Sequence, residues 1–172
     1  LIRKEDYGHK LFDLINECYK DLYNFTVLPR EMADKYLGFY LSILDLDYVT
    51  ILENEKNEPV AFGITMPSIA GALQKSRGKL FPFGWFYLLR SLFFKREEGV
   101  EMLLVGVRPD YQNSGINSLV MTDMFRKYTE KGVKWAETNA ILETNLKNQG
   151  QFKDFESERK KRRRSYIKPL EY

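Results

Sequence analysis

The sequence holds one cysteine, Cys18, and one histidine, His9, in 172 residues. A lone thiol excludes an internal disulfide and any multi-cysteine metal site within the chain. A lone imidazole leaves little room for histidine-based catalysis or a two-histidine metal centre; no metal is expected. No apolar run approaches the roughly 18–20 residues that a membrane-spanning helix needs. No signal peptide is visible either, because the apolar residues near the start are spaced through charged ones, and a cytoplasmic location is the expectation. These scarcities remove most hydrolase and metalloenzyme chemistries. The remaining composition is that of a globular protein, 44% hydrophobic and 30% charged. Aromatics reach 15%, so a sizeable core can form, and the length suits a single domain over residues 1–172. The chain opens on Leu1, at what reads as the edge of a helix, and further sequence upstream is expected.

Charge is unevenly spread. Lys and Arg number 27 against 24 Asp and Glu, a net +3. Residues 159–172 hold seven of the basic residues and one acid, Glu171, which leaves 20 against 23, or −3, for the rest. The tail is basic; the body is not.

Apolar spacing predicts two helices in the first 45 residues, with stripes at Leu11, Phe12, Ile15, Tyr19 and Leu22, then at Met32, Tyr36, Leu37, Tyr40 and Leu44. Pro29 suits the first turn of the second. Cys18 and His9 lie in the first helix, as core filler and surface residue. Tyr48–Leu52 and Pro59–Met66 read as a hairpin around a polar turn. Ser68–Lys75 suits a short helix that Gly78 breaks. Leu80–Phe94 is a 15-residue stretch with seven aromatics, interrupted by Pro82, Gly84 and Arg90. Within an insertion spanning residues 67–98, it suits an apolar pocket, a membrane surface, or contact with an upstream domain or a second copy of the chain. Val100–Val107 reads as a strand. A helix with a stripe at Ile116, Leu119, Val120, Met124 and Tyr128 follows, ended by Gly132. Val133–Ala140 is a further strand, Glu143–Glu158 a polar helix, and Tyr166–Leu170 a closing strand. The order predicts an α/β fold with one central mixed sheet.

The chemistry concentrates in Leu103–Leu119. A buried strand ends at Val107, Pro109 stops its ladder, and a short polar loop runs through Gly115 into a helix. Loop N–H groups and the helix's first unpaired donors then converge on one point, which suits a phosphate or pyrophosphate. Gly115 has no Cβ to bar the approach. Gln112 and Asn113 add neutral donors, and Ser114 can cap the helix. An ordinary strand-to-helix turn with a capping serine fits the same residues.

Val107-x-Pro109-x-x-Gln112-x-x-Gly115-x-Asn117 resembles the acetyl-CoA signature of the GNAT N-acetyltransferases, whose core is Gln/Arg-x-x-Gly-x-Gly/Ala. Asn117 stands where that pattern has Gly or Ala. The order of elements agrees over most of the chain, apart from the family's first strand. The tail is similar to that of longer bacterial GNAT-like proteins with a second, upstream domain, through Glu143-Thr144-Asn145 and the Arg162–Lys168 segment. The resemblance implies a GNAT fold, a central, mostly antiparallel sheet flanked by helices, and an N-acetyltransferase that takes acetyl-CoA as co-substrate. Backbone groups at Val105 and Val107 would pair with the pantetheine arm. Gln112, Asn113, Ser114, Gly115, Ile116 and Asn117 would hold the pyrophosphate, and Asn145 would bond to the arm.

A small-molecule or peptide amine would then attack the thioester directly. Glu137 and Glu101 are the candidate bases that relieve it of a proton. Relatives often place a tyrosine seven residues after the Asn145 position to protonate the leaving thiolate; here that residue is Phe152, so water or Tyr166 would take the role. Two other readings stay open. One is a non-catalytic CoA-binding or protein-interaction domain of the same fold. The other, less favoured, is a nucleic-acid binder using Arg159–Arg164, against which stand Glu156, Glu158 and the absence of interleaved aromatics.

Overall fold

The hairpin forms as the alternation predicts. In the computed structural model, which describes residues 5–23, 25–94 and 98–169, β1 (Val49–Glu53) runs antiparallel to β2 (Pro59–Pro67), with Val49 opposite Ile64 and Leu52 opposite Ala61. Asn54 shapes the turn. Its Oδ1 accepts from the N–H groups of Lys56 and Glu58, each at 3.0 Å, and Asn57 takes the left-handed conformation that asparagine tolerates. β2 pairs antiparallel with β3 (Gly99–Val107), with a register shift between Ile64 and Thr65. α5 (Ile116–Glu130) then crosses to β4 (Trp135–Thr138), giving a mixed sheet in the order β1-β2-β3-β4. Two compact units result, residues 1–137 and 138–172.

The first unit is a sheet covered on both faces. Alternate residues of β2 point opposite ways. Phe62 and Ile64 meet Leu11 and Leu14 of α1 (Glu5–Tyr19). Gly63 turns to α5, where an added Cβ would lie 2.3 Å from the Met124 sulfur. Such an approach needs glycine. Gly106 likewise makes room for the Phe62 ring and Cys18. The buried face of α5 is Val120, Met121, Met124 and Tyr128. Leu119, expected inward, is 60% exposed. It lies one step round the helix from the contact, and Met121 fills the space.

The helix ends as the sequence predicts. The Val133 N–H donates to the Tyr128 carbonyl and the Gly132 N–H to that of Thr129, with Gly132 left-handed, a Schellman closure. α2 (Arg30–Ile43) departs from its expected stripe, since Met32 and Tyr36 are exposed while Ala33 is fully buried. Close packing selects the small residue, and Leu37 reaches Gly8 on α1. Pro29 precedes α2, its carbonyl accepting from the Met32 N–H.

Between β2 and β3 the chain makes an excursion: α3 (Ala70–Ser76), α4 (Gly84–Leu89) and one π-helical turn at Arg90–Phe94. α3 stops where Arg77 and Gly78 both turn left-handed. Among the described residues of the second unit, only α6 (Leu146–Gly150) is helical. The polar helix expected from Glu143 to Glu158 therefore shrinks to five residues, because the segment has no continuous apolar stripe to bury. Tyr166–Pro169 form no strand, with Tyr166 at 83% and Ile167 at 94% exposure; the last expected residue, Leu170, lies outside the described residues. No described helix is long and apolar enough to cross a membrane.

Candidate functional site

The site is built where β3 ends. The Arg108 N–H donates to Val60 on β2 at 2.9 Å, so the alternation of an antiparallel ladder turns the backbone groups of Val107 and Val105 to the other edge. β4 joins that edge near its start, where the Lys134 N–H donates to the Glu98 carbonyl at 2.7 Å. β4 has four residues against nine in β3. The last residues of β3 therefore extend past it.

The loop that follows is turned tightly. Pro109–Tyr111 form a 3-10 turn, Asn113 is left-handed at φ 63, and Gly115 is left-handed at φ 82 as the cap of α5. The cap residue is a glycine and makes no side-chain bond to the helix start. Ser114, expected to cap the helix, donates its hydroxyl proton to the Tyr111 carbonyl instead. The left-handed Gly115 places it one residue too early to face the helix start. Apart from its chain neighbours, nothing lies within 4 Å of a Cβ added at Gly115, so the turn is open there. Arg108 is bound at both nitrogens by Asp110, at 2.7 and 2.9 Å, and lies 4.7 Å over the Tyr111 ring. It braces the loop. The same hydrogen bond from Arg108 holds the Asp110 carboxyl below its ordinary value.

α5 is pinned to β1 by a polar cluster. The Thr50 hydroxyl donates to Asp123 at 2.7 Å, and Lys127 bonds Asp123 at 2.8 Å and the Val49 carbonyl at 2.8 Å. Arg126 adds a bond to Asp123 at 2.7 Å. Burial pushes the Asp123 carboxyl up, but hydrogen bonds from Lys127, Thr50 and Arg126 outweigh it and hold the group well below the carboxylate range. The cluster fixes where the helix starts relative to the sheet.

At the open edge of β3 stands a residue that the sequence reading placed only in a core stripe. Tyr19, the last residue of α1, donates its hydroxyl proton to the Val105 carbonyl at 2.8 Å and accepts from the Val105 N–H at 3.1 Å. Burial pushes this phenol up to about 12. Its ring packs edge-on against Phe62. Val107 is also engaged, its carbonyl accepting from the Gln112 side chain at 3.3 Å. An arm pairing with β3 at Val105 must displace the Tyr19 hydroxyl. No sequence signal marks Tyr19, because its spacing is that of an ordinary core residue.

The remaining candidates divide between the two units. Ile116 and Asn117 open α5 beside Gly115. Glu101, on β3, accepts from the buried Ser68 hydroxyl at 3.2 Å. Glu137 is exposed on β4. In the second unit, Asn145 caps α6, its Oδ1 accepting from the Asn148 N–H at 3.1 Å. Phe152 lies in the turns after α6, and Tyr166 lies in irregular chain. Part of the basic run is paired locally, Arg162 with Glu143 at 2.7 Å. His9 is half-buried and bonds Asp34 at 3.1 Å. Burial pushes the Cys18 thiol up to about 12. Among the described residues, no cluster of three or more His, Cys, Asp or Glu is placed to hold a metal.

No family model matches the chain. It is 31% identical over 138 residues, 78% of its length, to Protein YghO of Escherichia coli. It is 26% identical over 104 residues, 60% of its length, to the bacterial ceramide synthase of Caulobacter vibrioides. These matches span 35% and 27% of the two relatives, so the chain covers about a third of the length of the curated relatives it matches. Among solved structures, it superposes with a TM-score of 0.55 and 14% identity on the aminoglycoside acetyltransferase AAC(6')-Iy bound to a bisubstrate analogue of CoA, over 96% of this chain and 94% of that one.

Proposed function

We propose, from the premise that this chain has the fold of the GNAT acetyltransferases, that it binds acetyl-CoA at the β3–α5 loop and transfers the acyl group to an amine. The observation that supports this most is the left-handed turn at Gly115, where an added Cβ would meet nothing within 4 Å beyond its chain neighbours. In this reading, the pyrophosphate rests against the loop from Gln112 to Asn117. The pantetheine arm lies along β3 at Val105 and Val107, taking over the bonds that Tyr19 makes there.

The chemistry is a direct attack. A neutral amine nitrogen adds to the thioester carbonyl, a β3 N–H steadies the oxyanion, and collapse breaks the C–S bond. The ammonium proton passes to Glu101 or Glu137, directly or through water, and the thiolate takes a proton from water. The Ser68 bond gives Glu101 a fixed orientation. The Caulobacter relative's name makes a lipid amine the first acceptor to try, alongside aminoglycosides.

A thiol-release assay with acetyl-CoA and a panel of amines tests the transfer. Turnover that falls in Glu101→Gln while acetyl-CoA affinity holds supports the base. Acetyl-CoA binding with no thiol release from any amine favours instead a CoA-binding domain that does no chemistry.

A further inference from the structure

We propose that the excursion between β2 and β3 is a membrane-contact element that seats the protein on an anionic lipid surface. It stands on residues separate from the acyl-CoA site, so either reading can fail alone. The excursion is ordered by its own packing. Gly84 presses so closely on the Lys79 carbonyl that an added Cβ would lie 1.8 Å from it. The Trp85 ring N–H donates to the Pro82 carbonyl at 2.8 Å, and the Trp85, Phe86 and Tyr87 rings stack edge to face in sequence. Yet this packing leaves its aromatics outside. Phe81 is 74% exposed, Phe83 68% and Phe94 86%, and Trp85, Phe86 and Phe93 are exposed beside them. A contiguous apolar surface of this kind marks an interaction site.

Charge selects the occupant. Residues 59–96 contain no Asp or Glu but six cations, at 75, 77, 79, 90, 95 and 96. Lys75, Arg77, Lys79 and Arg90 are exposed and, among the described residues, take part in no ion pair. Elsewhere in the first unit, Arg108, Arg126, Lys127, Lys131 and Lys134 each pair with a carboxylate. Aromatic rings and unpaired cations without acids suit the two layers of a bilayer interface. The rings enter at carbonyl depth, and the cations stay at the phosphates. A bilayer also accepts a knob of any shape, whereas a protein partner must match it.

The test is sedimentation of the full-length protein with vesicles of phosphatidylcholine alone and with added phosphatidylglycerol. Binding is expected to the anionic vesicles only, and to weaken with salt. Lys75→Gln/Lys79→Gln should lower it roughly thirtyfold, ~1 kcal/mol per cation. Phe81→Ser/Phe83→Ser should lower it by at least roughly tenfold, with an unchanged circular dichroism spectrum showing that the fold survives. Brominated acyl chains should quench tryptophan emission in the wild type and not in the phenylalanine variant. Three results would overturn the proposal. They are no sedimentation with anionic vesicles, sedimentation that survives the phenylalanine changes, or a dimer that those changes convert to monomer while vesicles bind neither form.

Discussion

The α5 face and the excursion before β3 are both rich in large apolar side chains, and the fold treats them oppositely. On α5, Val120, Met121, Met124 and Tyr128 are buried, and Gly63 gives Met124 its seat. The cations nearby are paired: Lys127 and Arg126 with Asp123, Lys131 with Asp47. On the excursion, the aromatics face out, and the described cations, Lys75, Arg77, Lys79 and Arg90, pair with no described carboxylate. Apolar content alone therefore does not identify a core. What distinguishes the two is whether small residues on the opposing surface let the large ones close and whether acids neutralise the charge at the rim.

If the contrast is sound, substitutions on the two surfaces should differ by several kcal/mol. Met124→Ala should have the largest effect, lowering stability by about 2–5 kcal/mol in denaturant titration, because it opens a cavity against β2. Asp123→Asn should cost about 1–2 kcal/mol at neutral pH by weakening the Thr50–Lys127 cluster. The pH dependence has a definite sign. The folded-state carboxyl is depressed, so its contribution is present above the ordinary value of about 3.9 and is lost as pH falls toward the folded one. The gap between wild type and Asp123→Asn should close on acidification below about pH 4.

Tyr19→Phe should cost about 1 kcal/mol, one hydrogen-bonded hydroxyl, yet tighten acetyl-CoA binding about fivefold by releasing Val105. Looser binding in this variant would mean that the phenol contacts the ligand rather than competing with it. Phe81→Ser/Phe83→Ser should change stability by no more than about 0.5 kcal/mol. A large loss there would erase the contrast, since it would show those rings to be core.

The strands, the β3–α5 turn and the Gly132 stop were legible in the sequence because each rests on a local rule: alternation, a glycine with a required conformation, a helix that must end. The burial of α2 was not. Its stripe is set by how closely it packs on α1, which favours Ala33 over the larger Met32 and Tyr36. Ser114 looked like a cap by residue type, and the left-handed Gly115 that turns it aside is a property of the loop. The closing strand at Tyr166–Leu170 has strand-like composition, but a strand also needs an edge to pair with. Tyr19 and the Thr50–Asp123–Lys127 cluster join residues 86 and 73 positions apart, separations that no spacing rule reaches.

Calorimetric titration with acetyl-CoA of the wild type, Gly115→Glu and Gly115→Asn probes the proposed pyrophosphate cradle itself. Asparagine tolerates the left-handed backbone and carries no charge, whereas glutamate brings bulk and a negative charge to the open turn. The wild type should bind with micromolar affinity, Gly115→Asn should keep most of that binding, and Gly115→Glu should lose it with the fold intact. No binding to the folded wild type, or equal binding to all three, would contradict the cradle.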